Sequence, residues 1–250
     1  MFQDEYLRII DSTNDRAREL AEKGGPHGSG VVAEQQTAGR GRLKRPWFSP
    51  AGKNLYCSYI IRPVVPFSEY PRLTLVAGLA VAHFMNDLLP GRVGLKWPND
   101  ILLGEKKCGG ILCESVLSQD RHTGGYAIVG IGLNLLLERN ELPEELRDRA
   151  TSLLIEGGPR LMPLDAFNVL RRHLLACIDD WQKIGFQWIL ERWSSFDIMV
   201  GRQATWVTQK REVVTGVSLG PDSSGQLCIE DAQGTRHLVV SGDVTLAREL

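Results

Sequence analysis

The residues best suited to chemistry come in three short runs. The first, Gly39-Arg40-Gly41-Arg42-Leu43-Lys44-Arg45, holds four cations and two glycines in seven residues and leads into Pro46 and Trp47. Glycine lets backbone N–H groups approach a ligand closely, and arginine presents a forked donor that matches phosphate or carboxylate. The run reads as a loop that closes over an anion. The second run is Lys96-Trp97-Pro98-Asn99-Asp100, where proline and the Asn-Asp pair impose a turn and leave Asp100 at a strand edge. Lys107 follows seven residues on, then Gly109 and Gly110, which let a ligand lie against the backbone. The third run, Gly130-Ile131-Gly132-Leu133-Asn134, sets two glycines into an apolar strand. It falls short of a dinucleotide-binding fingerprint and points instead to close approach of a flat ligand.

The rest of the composition narrows the field. The 250 residues carry a net charge of -1 and are 43% apolar, so the basic loop is a local feature and not part of a general nucleic-acid or membrane-binding surface. A chain of this length buries roughly 70–75% of its unfolded surface. The five cysteines, Cys57, Cys108, Cys113, Cys177 and Cys228, are odd in number and form no CxxC pair. With no signal-like segment after Met1, they suggest core residues of a cytoplasmic protein. No apolar run approaches the roughly 20 residues of a membrane span. His, Asp and Glu do not cluster at zinc-ligand spacing.

The elements that must position the three runs follow from periodicity. A helix over 16–22 is expected behind a Ser12-Thr13-Asn14 cap, and a strand over 30–36 before the basic loop. Further strands are expected at 55–61, 93–97, 101–103, 111–117 and 126–136, with a Gly-Gly turn between the last two. Helices are expected at 73–89, 164–184 and 188–193. After Phe196 the pattern changes to short strands at 203–208, 213–219, 227–230 and 237–240, which suggests a small barrel. The division falls near 197–201, giving domains 1–198 and 199–250.

Taken in order, these segments form a resemblance. Ser12-Thr13-Asn14, Glu34-Gln35-Gln36-Thr37-Ala38 with the loop to Trp47, Lys96 to Asp100, Lys107 with Gly110-Ile111-Leu112-Cys113-Glu114, Gly130 to Asn134 and Ala150-Thr151-Ser152-Leu153 resemble the motif series of biotin protein ligases. The tail from Gly201-Arg202 through Gly216 and Asp222 to Gly242-Asp243-Val244 is similar to that family's C-terminal barrel. The resemblance implies an α+β fold related to class II aminoacyl-tRNA synthetases, a mixed sheet with flanking helices and an SH3-like barrel. It also implies a two-step reaction. Biotin and MgATP give biotinyl-5′-AMP, and biotin then passes to one lysine of a biotin carboxyl carrier protein.

Carried over residue by residue, the resemblance makes Lys107, Arg42 and Arg45 the catalytic cations. It places Ser12, Thr13, Asn14, Gln36, Gly39, Arg40, Lys107, Gly109 and Gly110 on biotin. It places Arg40, Arg42, Trp47, Lys96, Asn99, Asp100, Gly132 and Asn134 on ATP or the adenylate, with Asp100 the candidate for Mg²⁺. Attack of a carboxylate on phosphorus brings two anions together, so it needs cations and orientation more than a general base. The loop departs from the family form. Leu43 stands for an arginine, Lys44 for a glycine, and Pro46 stiffens the exit, so less flexibility is expected. Like charges and two glycines also predict poor order for the free loop. The motifs begin too close to Met1 for a DNA-binding domain, so neither DNA nor a membrane is an expected partner, and homodimerisation is left open. The rivals are a lipoate–protein ligase on the same fold and a non-catalytic RNA- or protein-binding module.

Overall fold

The computed structural model of the protein describes residues 1–117, 125–207, 213–239 and 243–246. Seven strands form a mixed sheet: β1 (Glu5–Ile10), β2 (Gly30–Gln36), β3 (Asn54–Ile61), β4 (Val93–Lys96), β5 (Asp100–Leu103), β6 (Lys106–Leu117) and β7 (Gly125–Asn134), in the order β1-β2-β3-β7-β6-β5-β4. β1 and β2 run parallel, and the helix between them, α1 (Thr13–Glu22), is the crossover that a parallel pair requires. The other neighbouring pairs are antiparallel.

Helices on both faces explain why the central strands read as continuous apolar runs. β3 is buried along its whole length. On one face α1 sets Ala17, Leu20 and Ala21 against Val31, Ile60 and Ile128. On the other lie α2 (Leu73–Leu88), α3 (Pro163–Ile184) and α4 (Phe186–Ser194), whose Phe84, Leu170, Leu174, Trp181 and Trp193 join the main core. Burying one such side chain contributes roughly 1.5–3 kcal/mol. No helix among the described residues is long and apolar enough to cross a membrane.

Most elements lie within a few residues of their expected places, and the differences have causes. β1 was not expected because Glu5-Tyr6-Leu7-Arg8 lacks clean alternation. It is an edge strand held by its backbone register with β2. β6 begins five residues early, at Lys106, because pairing with β5 outweighs the weak strand preference of Lys, Cys and Gly. Ser12 does occupy the N-cap of α1 with extended dihedrals, yet its side chain makes no capping bond. Thr13 N donates instead to Gln36 Oε1 at 2.9 Å.

The C-terminal strands β8 (Gln203–Val207), β9 (Val213–Pro221), β10 (Leu227–Glu230), β11 (Arg236–Val239) and β12 (Asp243–Leu246) form a separate antiparallel sheet in the order β11-β10-β9-β8-β12. The expected closed barrel is absent among the described residues. β11 and β12 stand at opposite edges, each four residues long, which leaves little ladder for closure. Gly124, Thr208, Val240 and Gly242, all in expected turns, strands or motifs, lie outside the described residues. Residues 196–198 extend the edge of the large sheet, with Leu95 N donating to Phe196 O and Ile198 N to Leu95 O. The small sheet is also tied to the large one by Trp97, whose Nε1 donates to Gly225 O at 3.0 Å.

Candidate active site

The three chemical runs meet in one cavity of about 700 Å³ at the end of the large sheet. The start of α1, the end of β2, the basic loop, the 96–100 turn and the facing stretches of β6 and β7 all line it.

One local irregularity in β6 builds its chemical centre. Side chains in a regular strand alternate, so residues 107 and 110 should face opposite ways. The register with β5 shifts between Ile101 and Leu102, because Ile101 pairs with Gly109 and Leu102 with Lys107. Cys108 is the extra residue, and the bulge brings Lys107 onto the side that Gly110 faces. A Cβ on Gly110 would lie 3.6 Å from Lys107 Nζ. Asp100 pairs directly with Gly110 in the ladder, and Lys107 Nζ donates to its Oδ1 at 2.5 Å. The carboxylate thereby holds the ammonium on the cavity wall.

Away from this centre the cavity ends in a closed network of short polar side chains. Gln36 Oε1 accepts from Thr13 N and Thr13 Oγ1, while its Nε2 donates to Ser49 Oγ at 3.3 Å. Buried Ser58 donates to Asn14 Oδ1 at 2.6 Å, and Asn14 Nδ2 donates to Glu114 Oε2 at 2.7 Å. A Cβ on Gly130 would fall 2.1 Å from Asn14 Oδ1, so only glycine lets β7 pass this close. Cys57 adds an apolar wall here, and burial pushes its thiol up to about 12.

The rest of the lining is cationic. Arg40, Arg42, Arg45, Lys96, Lys107 and Arg149 line the cavity against one carboxylate among the described residues, Asp100. The basic run folds as a hairpin over this part of the cavity. Gly41 N donates to Arg45 O and Trp47 N to Gly39 O. Its charges find partners: Arg40 forms a two-pronged ion pair with Asp15 at 2.6 and 2.7 Å, and Arg42 Nη1 reaches Asn99 Oδ1 at 3.5 Å. The tip is a turn from Arg42 to Arg45 with Leu43 at φ 55° and Lys44 at φ 58°. Both are in the left-handed region that favours glycine. Trp47 descends from the hairpin onto the bare backbone of β6 and β7, where a Cβ on Gly132 would lie 2.7 Å from its Nε1. Lys107 Nζ sits 5.4 Å from the Trp47 ring centre.

Comparison with known proteins bears on this geometry. Residues 6–134 match the model of the biotin/lipoate A/B protein ligase family. The bifunctional ligase/repressor BirA of Bacillus subtilis is 36% identical over 245 residues, covering 96% of this chain and 73% of that protein. A biotin–[acetyl-CoA-carboxylase] ligase of Mycobacterium tuberculosis is 33% identical over 222 residues, covering 87% of this chain and 79% of its own. The structure of the Aquifex aeolicus biotin protein ligase in complex with biotin and ATP superposes with a TM-score of 0.80 at 30% identity, covering 99% of this chain and all of that one.

The chain belongs to the biotin protein ligase family.

Within this ligase the cavity gathers Ser12, Thr13, Asn14, Gln36, Arg40, Arg42, Arg45, Trp47, Lys96, Asn99, Asp100, Lys107, Gly110, Gly132 and Asn134. Two expected residues stand back from it. A Cβ on Gly39 would press on Ser49 Oγ and Gln36 Nε2, so this glycine serves the foot of the hairpin. Gly109 abuts Leu133 and the carbonyl of Gly132, so it serves strand packing. Asn134 reaches the cavity, but its side chain is committed to Thr151 O at 2.9 Å.

Sequence reasoning missed Arg149, which the fold lays beside β6 together with Ala150. Lys107 N donates to Arg149 O, and Thr151 N to Lys107 O. The neighbouring Ala150-Thr151-Ser152-Leu153 motif was the available signal, although it carried no role. Trp97 was noted only for its motif and links the cavity wall to the small sheet. Asp15 gave no signal beyond its place after Asn14.

Proposed function

We propose that this ligase joins biotin to ATP and passes it to a lysine of a biotin carboxyl carrier domain, with the residue roles that follow. The observation that carries the reading is the polarity of the cavity. A network of paired amides and hydroxyls suits a neutral ureido ring, and the cations Arg42, Arg45, Lys96, Lys107 and Arg149 in the rest of the lining suit a carboxylate and phosphates.

In the first step a biotin carboxylate oxygen bonds to the α-phosphorus, and the bond to the β-phosphate oxygen breaks to release pyrophosphate. Lys107 and Arg42 balance charge on the carboxylate and α-phosphate, and Arg45 and Arg149 add positive potential from the loop and the far wall. Ser12, Thr13, Asn14 and Gln36 hold the ureido end. Trp47 shields the intermediate, with Gly110 and Gly132 giving it room. Lys96 and Asn99 border the nucleotide, and Asn134 contributes wall, since its amide is occupied. In the second step the acceptor amine attacks the acyl carbon, AMP leaves, and the amine loses a proton. An acyl-adenylate is destroyed by water, so the hairpin closes over it and reopens for the acceptor.

Asp100 is the carboxylate available for Mg²⁺, and no group of three or more His, Cys, Asp or Glu gathers among the described residues. That donor set is no protein cage, but it fits a magnesium ion held largely by substrate phosphates with one carboxylate. Bound there, the ion would screen phosphate charge. The small sheet, assigned to residues 199–250, is read as the family's SH3-like barrel. Its five short antiparallel strands support that reading.

Incubation with biotin, MgATP and a carboxylase biotin domain should add one biotin mass to the acceptor. A folded enzyme that adds none would refute the proposal. Pyrophosphate exchange driven by lipoate and not by biotin would move it to the lipoate branch.

A further inference from the structure

We propose that Asp15 is a positioning residue for the lid. Its ion pair with Arg40 pins the foot of the 39–47 hairpin to the first turn of α1, the same helix end that builds the ureido side of the cavity. The inference rests on the ligase reading only for what the lid encloses. The latch itself is a matter of geometry.

Arg40 Nη1 donates to Asp15 Oδ2 at 2.7 Å, and Nη2 to Oδ1 at 2.6 Å. This is the parallel fork in which arginine binds carboxylate most strongly and with most directional specificity. Arg40 faces Pro46 across the base of the hairpin, so fixing Arg40 fixes both legs. Asp15 directly follows Ser12, Thr13 and Asn14, all buried at the cavity. The pair therefore joins two parts of the site that the backbone separates by 25 residues. Arg18 and Glu114 flank it as a second pair at 3.2 Å. The Arg40 hydrogen bonds hold the Asp15 carboxyl below its ordinary value, against the opposing effect of burial. Asp15 also lies in the first turn of a helix, where negative charge is favoured.

The latch gives the guanidinium of Arg40 a different task from the ligand contact expected of it. Both terminal nitrogens donate to Asp15. The side chain sets where Arg42 and Trp47 stand. Asp15 touches no reacting atom in this scheme. It acts through the hairpin.

The test compares the full chain with Asp15→Asn, Asp15→Glu and the double reversal Asp15→Arg with Arg40→Asp. Amide hydrogen exchange of residues 40–45 is followed without added ligand, and biotin KM and kcat are measured by pyrophosphate exchange. Partly exposed ion pairs are modest, so Asp15→Asn should speed exchange in the hairpin by about twofold to fivefold and leave β3, β6 and β7 unchanged. Biotin KM should rise by a similar factor, with kcat moving less. Asp15→Glu should recover part of the protection. The double reversal should recover it too, although Arg40→Asp lowers turnover by altering the cavity. Unchanged hairpin exchange in Asp15→Asn, or faster exchange spread through the whole chain, overturns the latch. A wild-type protein with no biotin-dependent pyrophosphate exchange would instead overturn the ligase reading, while the hairpin exchange would still judge the latch.

Discussion

The two ends of the cavity are built on opposite principles. At the ureido end, short side chains from α1, β2 and β3 bond to one another, and the fit against Gly130 leaves no space for a methyl group. At the phosphate end, long cationic side chains reach in from a hairpin, a turn and a bulged strand, and Trp47 Nε1 is buried without a hydrogen-bond partner among the described residues. The first end is finished before a ligand arrives, so affinity there depends on shape that already exists. The second is held by contacts that can be exchanged, such as Lys107 to Asp100 and Arg42 to Asn99. Chemistry in which charge builds and moves needs that freedom to re-pair, and it is better served by ionic contacts than by packing.

The sharpest way to break this contrast is Lys107→Ala. Loss of one cation aimed at the reacting group should slow adenylate formation by about 10²–10³ in kcat, with little change in melting temperature. Near-normal biotin-dependent pyrophosphate exchange would show that the cationic end is not where reaction rate is set. Gly130→Ala should act in the opposite way. The new methyl must displace Asn14, costing about 1–3 kcal/mol of stability. Biotin binding should weaken while bound substrate still reacts, so a calorimetric titration of biotin that matches wild type would show the ureido end to be adaptable. The smallest effect is expected at the hairpin tip. Lys44→Gly removes a side chain from a left-handed position, a relief of roughly 1 kcal/mol that the greater freedom of an open glycine loop partly offsets. Slower exchange of the 41–45 amides is expected, by less than about fivefold. Faster exchange would show that Lys44 makes a holding contact.

Much of the site was readable from the chain because its chemistry sits in contiguous runs. A turn such as Lys96 to Asp100, or a glycine-punctuated strand such as Gly130 to Asn134, carries its own local signal. The apolar helices and central strands were readable for a related reason, since burial on both faces demands unbroken apolar runs. What escaped was held by partners far away. β1 has no pattern of its own and exists because β2 pairs with it. Arg149 reaches the cavity because its backbone adds beside Lys107. The short C-terminal strands were readable too, but strand count and strand length do not say whether the edges of their sheet meet.

The sequence by itself determined the kind of chemistry: a loop of arginines and glycines, one lysine and one aspartate near a turn, and no nucleophile–base set, in a chain of neutral balance. Those choices follow from residue type, and residue type is local. Only the tertiary structure decided how the groups face one another. The bulge at Cys108 turned Lys107 toward Gly110 and Asp100, against the alternation that a strand would otherwise impose. The fold likewise gave Arg40 to Asp15, because the start of α1 and the foot of the hairpin meet at the same end of the sheet. Side-chain direction depends on register and on which elements touch, and neither is written in any single stretch of the chain.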